Sequence, residues 1–305
     1  MTRRLEIVEV GPRDGLQAEP RVQSVADRVE LSLRLVAAGA RRLEVASFVN
    51  PDRVPQMAGA EEIVGLLRRR VPEGVQLIGL VLNARGLERA LEVGVDEVNT
   101  VVAATSSFAE ANQGRSLDAV LDESDRICAG ASAAGVPVTV TVSSSFGCPY
   151  EGEVPTDRLV GVVERVVAAG PSEVAIADTI GAAVPADVVE RFGAVLPLLR
   201  ERAVQPRCHF HDTRNTALAN VWAAVELGVD VVDASIGGIG GCPFAPGATG
   251  NVATEDVVYL AERSGLGTSF DLDELLGLVP WVEELVGHPA SGSVSRAGRF
   301  PRPGG

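Results

Sequence analysis

The chain is 305 residues long, 46% apolar but only 4% aromatic, with a formal net charge of −14. The length suits one large barrel or two smaller domains, and so few aromatics mean a core of Val, Leu, Ile and Ala, the composition of buried parallel strands under Ala-rich helices. The acidic balance excludes nucleic acid and anionic membrane surfaces as partners, the lack of a long uncharged apolar stretch excludes a membrane helix, and four cysteines without a Cys-x-x-Cys pair or a leader-like start predict reduced thiols in a cytoplasm.

Eight apolar runs of strand length follow one another at residues 5–10, 42–49, 75–82, 97–103, 137–143, 173–177, 207–211 and 229–236. Most are rich in Val, Ile or Leu and close near Gly, Pro, Asn, Asp, Ser or Thr, as buried strands do. Helical patterns lie between them. Ser24 is placed to cap a helix reaching Ala38, with Gly39 as its stop. Further helices are predicted over 61–70, 85–93, 117–134, 157–169, 185–199 and 215–227, and an eighth begins near Thr254. Five helices stop at a glycine: Gly39, Gly94, Gly135, Gly170 and Gly228. A β–α unit repeated eight times predicts a closed (β/α)8 TIM barrel. An open doubly wound sheet would need a G-x-G-x-x-G loop after its first strand, and residues 11–15 do not supply one. An extra C-terminal helix is expected over 272–286. Residues 1–290 thus read as a single catalytic barrel, and 291–305, basic and rich in Gly, Pro and Ser, as a mobile tail.

In such a barrel the active site gathers at the C-terminal ends of the strands. The first run ends in Arg13-Asp14, and the second carries Glu44 between Leu43 and Val45. The sixth ends in Asp178-Thr179, the seventh holds His209 and His211, and the loop after the eighth carries Cys242 and Asn251. His209 and His211 are two of only three histidines. At i, i+2 on one strand both imidazoles face the same way. With a nearby carboxylate they would make a site for a divalent cation, the alternative being two hydrogen-bonded rings lining a polar mouth. Asp14 is the candidate carboxylate, against its reading as the turn residue of Asp14-Gly15, and Asn251 is a candidate amide ligand, against a turn residue after Gly250. Arg13 needs an anion, either an enolate oxygen or Glu44, and Glu44 is placed to hold it. Cys242 lies among glycines in a loop able to close over a ligand, and its thiol is a candidate proton donor to a carbanion or enolate.

The segments Gly11-Pro12-Arg13-Asp14-Gly15-Leu16-Gln17, Ser47-Phe48-Val49, Gly147-Cys148-Pro149-Tyr150-Glu151-Gly152, Asp178-Thr179-Ile180-Gly181, His209 through Thr213, and Gly240-Gly241-Cys242-Pro243 onward to Asp256 resemble the 3-hydroxy-3-methylglutaryl-CoA lyase family, whose barrels share an Asp-Arg-Glu set. The likeness runs from Leu5 to about Gly287. It implies Mg²⁺ or Mn²⁺ held by Asp14, His209, His211 and Asn251. It also implies enolate stabilisation by Arg13, support from Glu44, and action of Cys242 from a mobile loop. The implied reaction is retro-Claisen cleavage of an acyl-CoA substrate to acetyl-CoA and acetoacetate, with Gln17, Asp178 and Thr179 joining Arg13 in substrate binding; a homodimer is the family expectation. The chain departs from the family where a lysine pair usually precedes Asn112, and where Arg214-Asn215 replaces a pair ending in Gly. Two other functions fit the pattern: a condensing acyltransferase of the isopropylmalate or citramalate synthase type, and a non-catalytic binding barrel.

Overall fold

The computed structural model describes residues 3–241 and 250–301. Its elements run β1 Glu6–Glu9, α1 Val25–Ala37, β2 Arg42–Ser47, α2 Ala60–Arg68, β3 Gln76–Leu80, α3 Ala84–Glu92 and β4 Glu97–Ala103. They continue α4 Ser106–Gln113, α5 Leu117–Ala133, β5 Val138–Ser143, β6 Gly147–Cys148, β7 Gly152–Glu153, α6 Thr156–Ala168, β8 Glu173–Asp178 and α7 Pro185–Glu201. The last are β9 Gln205–Phe210, α8 Ala217–Glu226, β10 Val231–Ala234, α9 Thr254–Arg263, α10 Leu272–Val286 and α11 Val294–Ala297. Eight of the strands close into a parallel barrel in the order β1-β10-β9-β8-β5-β4-β3-β2. The fold is the (β/α)8 TIM barrel that the repeated unit predicts, with α10 as its added helix.

The helix boundaries follow local chemistry. Ser24 Oγ accepts the Asp27 N–H while the Asp27 carboxylate accepts the Ser24 N–H, a reciprocal cap that starts α1. Gly39 then leaves the helix at φ 110°, and a Cβ there would stand 2.2 Å from the Ser269 carbonyl oxygen, so both the turn and the packing of the chain before α10 require glycine. Asn215 sits at φ 55°; asparagine is among the few side chains that tolerate this region.

The strands are less uniformly apolar than their sequence suggests, because the two faces differ. Leu43 and Val45, Val138, Val140 and Val142, Val174 and Ile176, and Cys208 and Phe210 belong to the large core between barrel and helices. Their alternating neighbours face inward, and most are polar: Arg42 and Glu44, Glu97 and Asn99, Thr139 and Thr141, Glu173, Arg207 and His209. A separate small apolar cluster of Val8, Val10, Ile78 and Val231 comes from the inward faces of β1, β3 and β10. Such interiors are usually filled by branched apolar residues; a charged interior survives only where every charge is paired, and it marks the direction in which function lies.

Three segments differ in detail from the sequence reading. Residues 106–113 form α4, capped by Thr105, and Gly147–Cys148 pairs with Gly152–Glu153 in a short hairpin; neither segment is long enough to display a hydrophobic period. Residues 291–301, read from composition as a tail, lie against the barrel: Ser293 and Val294 donate their N–H groups to the Asp256 carboxylate at 2.8 and 2.7 Å, and Ser291 donates to the Gly237 carbonyl at 2.9 Å. The donors are all backbone N–H groups, which leave no trace in the side-chain pattern of the segment itself. No helix among the described residues is long and apolar enough to cross a membrane.

Candidate metal centre and active site

After β1 the chain turns through a π-helical loop, Gly11–Gly15, whose Arg13 and Gly15 N–H groups both bond the Val10 carbonyl. Glu9 Oε1 fixes the start of this loop by accepting the Gly11 N–H at 2.8 Å, and it also accepts the Ile236 N–H at 3.1 Å from just beyond the end of the adjacent strand β10. Gly15 is required by proximity: a Cβ would lie 2.8 Å from the Ile239 side chain and 2.9 Å from Ser235 Oγ. The opening loop and the loop after β10 are thereby held edge to edge.

Arg13, 7% exposed, is clamped on two sides. Its Nε and Nη2 reach Glu44 Oε2 at 2.7 and 2.5 Å, and its Nη1 donates to Asp14 Oδ1 at 2.7 Å. Glu44 Oε1 accepts from Asn99 Nδ2 at 2.9 Å, and Asn99 Oδ1 accepts from the Thr141 hydroxyl at 3.0 Å. The guanidinium thus rests on a relay that crosses β2, β4 and β5. Burial opposes its charge, but Glu44 and Asp14 outweigh that and raise its pKa.

His209 and His211 face one side of β9, with ring centroids 5.1 Å apart. Asp14 converges on them from β1: one ligand atom from each of Asp14, His209 and His211 lies within 4.8 Å of the others. The fourth expected residue, Asn251, arrives because residues 250–254 thread between the ends of β9 and β10. The Asp212 N–H bonds the Gly250 carbonyl, the Val252 N–H bonds the Phe210 carbonyl, and the Ser235 N–H bonds the Val252 carbonyl. Asn251 Nδ2 donates to Asp14 Oδ2 at 2.8 Å. Its Oδ1 is buried and has no hydrogen-bond partner among the described residues.

The electrostatics suit a cation. Burial alone would raise the Asp14 pKa, but Arg13, His209, His211 and the Asn251 bond together hold it well below the ordinary carboxylate range. Burial disfavours a charged His209; the hydrogen bond and charge of Asp233, with the charge of Asp14, more than offset this and raise its pKa. Two imidazoles, one ionised carboxylate and an unsatisfied amide oxygen form a donor set that fits a divalent ion. An unpartnered buried oxygen is otherwise costly.

The remaining expected residues divide. Asp178 is fully buried and turns its carboxylate to its own loop, accepting the Ala182 and Ala183 N–H groups at 2.9 Å each. Strand parity puts it on the helix-facing side, and it is near enough to His209 for the two charges to interact. Thr179 Oγ1 accepts the Ser144 N–H at 2.8 Å, tying the ends of β5 and β8 together. Gln17 follows the opening loop and is partly exposed. Cys242 lies outside the described residues. Cys128 and Cys208 are buried, and burial pushes the Cys128 thiol up to about 11 and Cys208 higher still, as packing residues require.

Sequence reasoning missed Asp233, Arg207, Glu9 and Asn99. Asp233 carried a usable signal, a lone carboxylate in Val231-Val232-Asp233-Ala234, the same irregularity that singled out Glu44. Arg207 had one too, since it shares the parity of His209 and His211. The chain also contains no lysine, so every side-chain cation other than histidine is an arginine.

The profile of the HMGL-like family matches residues 4–282. The (R)-citramalyl-CoA lyase of Chloroflexus aurantiacus is 40% identical over 300 residues, covering 96% of this chain and 94% of that relative. The crystal structure of the Bacillus subtilis HMG-CoA lyase superimposes with a TM-score of 0.92 at 38% identity, covering 97% of this chain and 98% of the other. An HMG-CoA lyase from an Acinetobacter, in complex with coenzyme A and 3-methylmalate, gives a TM-score of 0.91 at 34% identity, with coverage of 98% and 96%.

Proposed function

The chain belongs to the HMGL-like family and is a lyase of the oxo-acid type, and from that premise we propose that it cleaves 3-hydroxy-3-methylglutaryl-CoA to acetyl-CoA and acetoacetate with the help of Mg²⁺ or Mn²⁺. The observation that carries this reading is the convergence of Asp14, His209 and His211 within 4.8 Å, with Arg13 bonded to Asp14 at their edge.

The substrate is a tertiary alcohol flanked by a carboxylate arm and a thioester arm. Cleavage begins with loss of the hydroxyl proton; the carbon–carbon bond then breaks, its electrons pass to the thioester carbonyl, and the enolate is protonated at carbon. A divalent cation bound by Asp14, His209, His211 and Asn251 would acidify the hydroxyl and anchor the distal carboxylate. Arg13 offers the negative charge on the thioester oxygen a fixed, buried counter-charge, already oriented by Glu44 so that little reorganisation is needed as charge develops. Asp14, kept ionised beside Arg13, and His209 are the groups positioned to take the hydroxyl proton. Cys242, next after Gly241 in the sequence, is the proposed donor to the enolate.

The test is an assay of acetyl-CoA release from a panel of tertiary 3-hydroxyacyl thioesters, with Mg²⁺, with Mn²⁺ and with chelator. The panel includes (R)-citramalyl-CoA, because a close relative bears that name and its substrate shares the tertiary alcohol and carboxylate. Metal-dependent release from 3-hydroxy-3-methylglutaryl-CoA, abolished by chelator, is expected. No turnover of any thioester by metal-loaded protein would return the chain to a binding role. Release of free CoA thiol from acetyl-CoA and a 2-oxo acid would make it a condensing enzyme.

A further inference from the structure

One buried carboxylate beside the histidines takes no part in the scheme above. Asp233, 4% exposed, faces the barrel interior directly across from His209 in the register of β10 and β9. Both of its oxygens are engaged. Oδ2 lies 2.9 Å from His209 Nδ1, and Oδ1 accepts from Arg207 Nε at 2.5 Å and pairs with Arg207 Nη2.

Arg207 is 1% exposed and is held from below. Its Nη1 donates to Glu173 Oε1 at 3.1 Å, and Glu173 in turn is bonded by Arg42 Nη2 at 3.0 Å and by the Thr139 hydroxyl at 2.9 Å. The inward row of β9 is therefore a ladder: Arg207 at its base, then His209, then His211, with Asp233 spanning the first two.

We propose that Asp233, seated on Arg207, is the positioning residue of the metal centre, taking the Nδ1–H of His209 so that Nε2 is that ring's ligand nitrogen. An ionised carboxylate can only accept, so the proton between the two belongs to Nδ1. The neutral ring then keeps its Nε2 lone pair unprotonated and available. The guanidinium holds one carboxylate oxygen through two nitrogens, and the other oxygen holds the ring. Carboxylates of this kind orient metal-bound histidines and select their tautomer. The ladder's lower rungs explain why so many charges are buried in the barrel: they hold Asp233 still.

This inference rests on the metal reading above. Asp233→Asn makes the atomic prediction sharp. The amide oxygen would turn to the Arg207 fork, which can only donate, and the amide NH₂ would then face His209 Nδ1. The ring would have to accept there and carry its proton on Nε2, where it cannot bind a metal.

Two measurements test this. The first is nitrogen NMR of the protein labelled with ¹⁵N-histidine and loaded with Mg²⁺. The chain has three histidines, and His209→Gln assigns the signal of interest. The unsubstituted protein should show the Nδ1–H tautomer at His209, and Asp233→Asn the Nε2–H tautomer. The second is Mn²⁺ titration followed by electron paramagnetic resonance. Asp233→Asn should weaken binding by about 10- to 100-fold, with partial recovery in Asp233→Glu. A purely structural Asp233 would lower the melting temperature of the metal-free protein and leave tautomer and affinity alone. An Nε2–H tautomer at His209 in the unsubstituted protein overturns the proposal even if the variant fails to fold. So does a folded Asp233→Asn that binds Mn²⁺ within about threefold of the unsubstituted chain, well short of the loss a ligand-orienting partner should cause. Absence of Mn²⁺ binding by the unsubstituted protein overturns the metal reading itself, and this proposal with it.

Discussion

Arg13 and Glu44 meet through two bonds to a single oxygen, Nε at 2.7 Å and Nη2 at 2.5 Å, in a part of the barrel closed to solvent. The second Glu44 oxygen is held by Asn99, so the carboxylate cannot rotate away from the guanidinium. This pair converts a long, flexible side chain into a fixed charge at the barrel mouth.

The relay behind the pair is separable from the pair itself. Asn99→Ala leaves Arg13 in contact with Glu44 but frees the carboxylate to turn. A fall in kcat of about tenfold is expected, with KM and Mn²⁺ affinity little changed, at a stability cost of roughly 1–3 kcal/mol for the orphaned Glu44 oxygen. Glu44→Gln removes the counter-charge and should cost more, about 3–5 kcal/mol, as a broken buried pair does. Steady-state kinetics and denaturant unfolding of both variants check this; an unchanged kcat in Asn99→Ala would show that Arg13 needs no support.

Asn251 is neutral where a carboxylate would also reach. Asn251→Asp would set a second negative charge where Nδ2 now lies 2.8 Å from Asp14 Oδ2. Without metal the two carboxylates repel, so the melting temperature of the metal-free protein should fall. Saturating Mg²⁺ should then raise it by more than it raises that of the unsubstituted protein, because binding to the folded state alone stabilises by mass action. Thermal melts with and without Mg²⁺ give the answer; equal metal-induced shifts in the two proteins would remove Asn251 from the ligand set.

Stability should also respond to pH through Glu255. Burial pushes its carboxyl up to about 8 from an ordinary 4.5, with the nearby charges of Asp256 and Glu9 adding to the effect against the backbone bond from Gly237. The folded protein keeps a proton that the unfolded chain releases above 4.5, so this contribution to stability is present at low pH. It is lost progressively as pH rises from 4.5 to about 8, and the loss is complete above that. Glu255→Gln keeps an acceptor for the Gly237 N–H and needs no proton. Its melting temperature should decline less over that interval, with a gain on the order of several °C at the alkaline end. Parallel pH profiles for the two proteins would mean that Glu255 titrates normally in the folded state.

The barrel and its eight β–α units were legible in the residue pattern, and so were the candidate ligands. The apolar runs, the helix caps such as Ser24 and the glycine stops are local features, set by propensity and turn geometry within a few residues. His209 and His211 were legible because strand parity alone puts them on one side. Which side that is, and what stands opposite, depends on how the barrel closes. Asp14 and Asn251 are 237 positions apart in the chain and meet because the barrel closes. The interior ladder from Arg42 through Glu173, Arg207 and Asp233 to His209 draws its members from β2, β8, β9 and β10, so no window of sequence contains it. Asp178 shows the converse: its place at a strand end was readable, but parity around the closed sheet turned it toward its own loop. Pairing between distant charges is a property of closure, and closure is not written in any one segment.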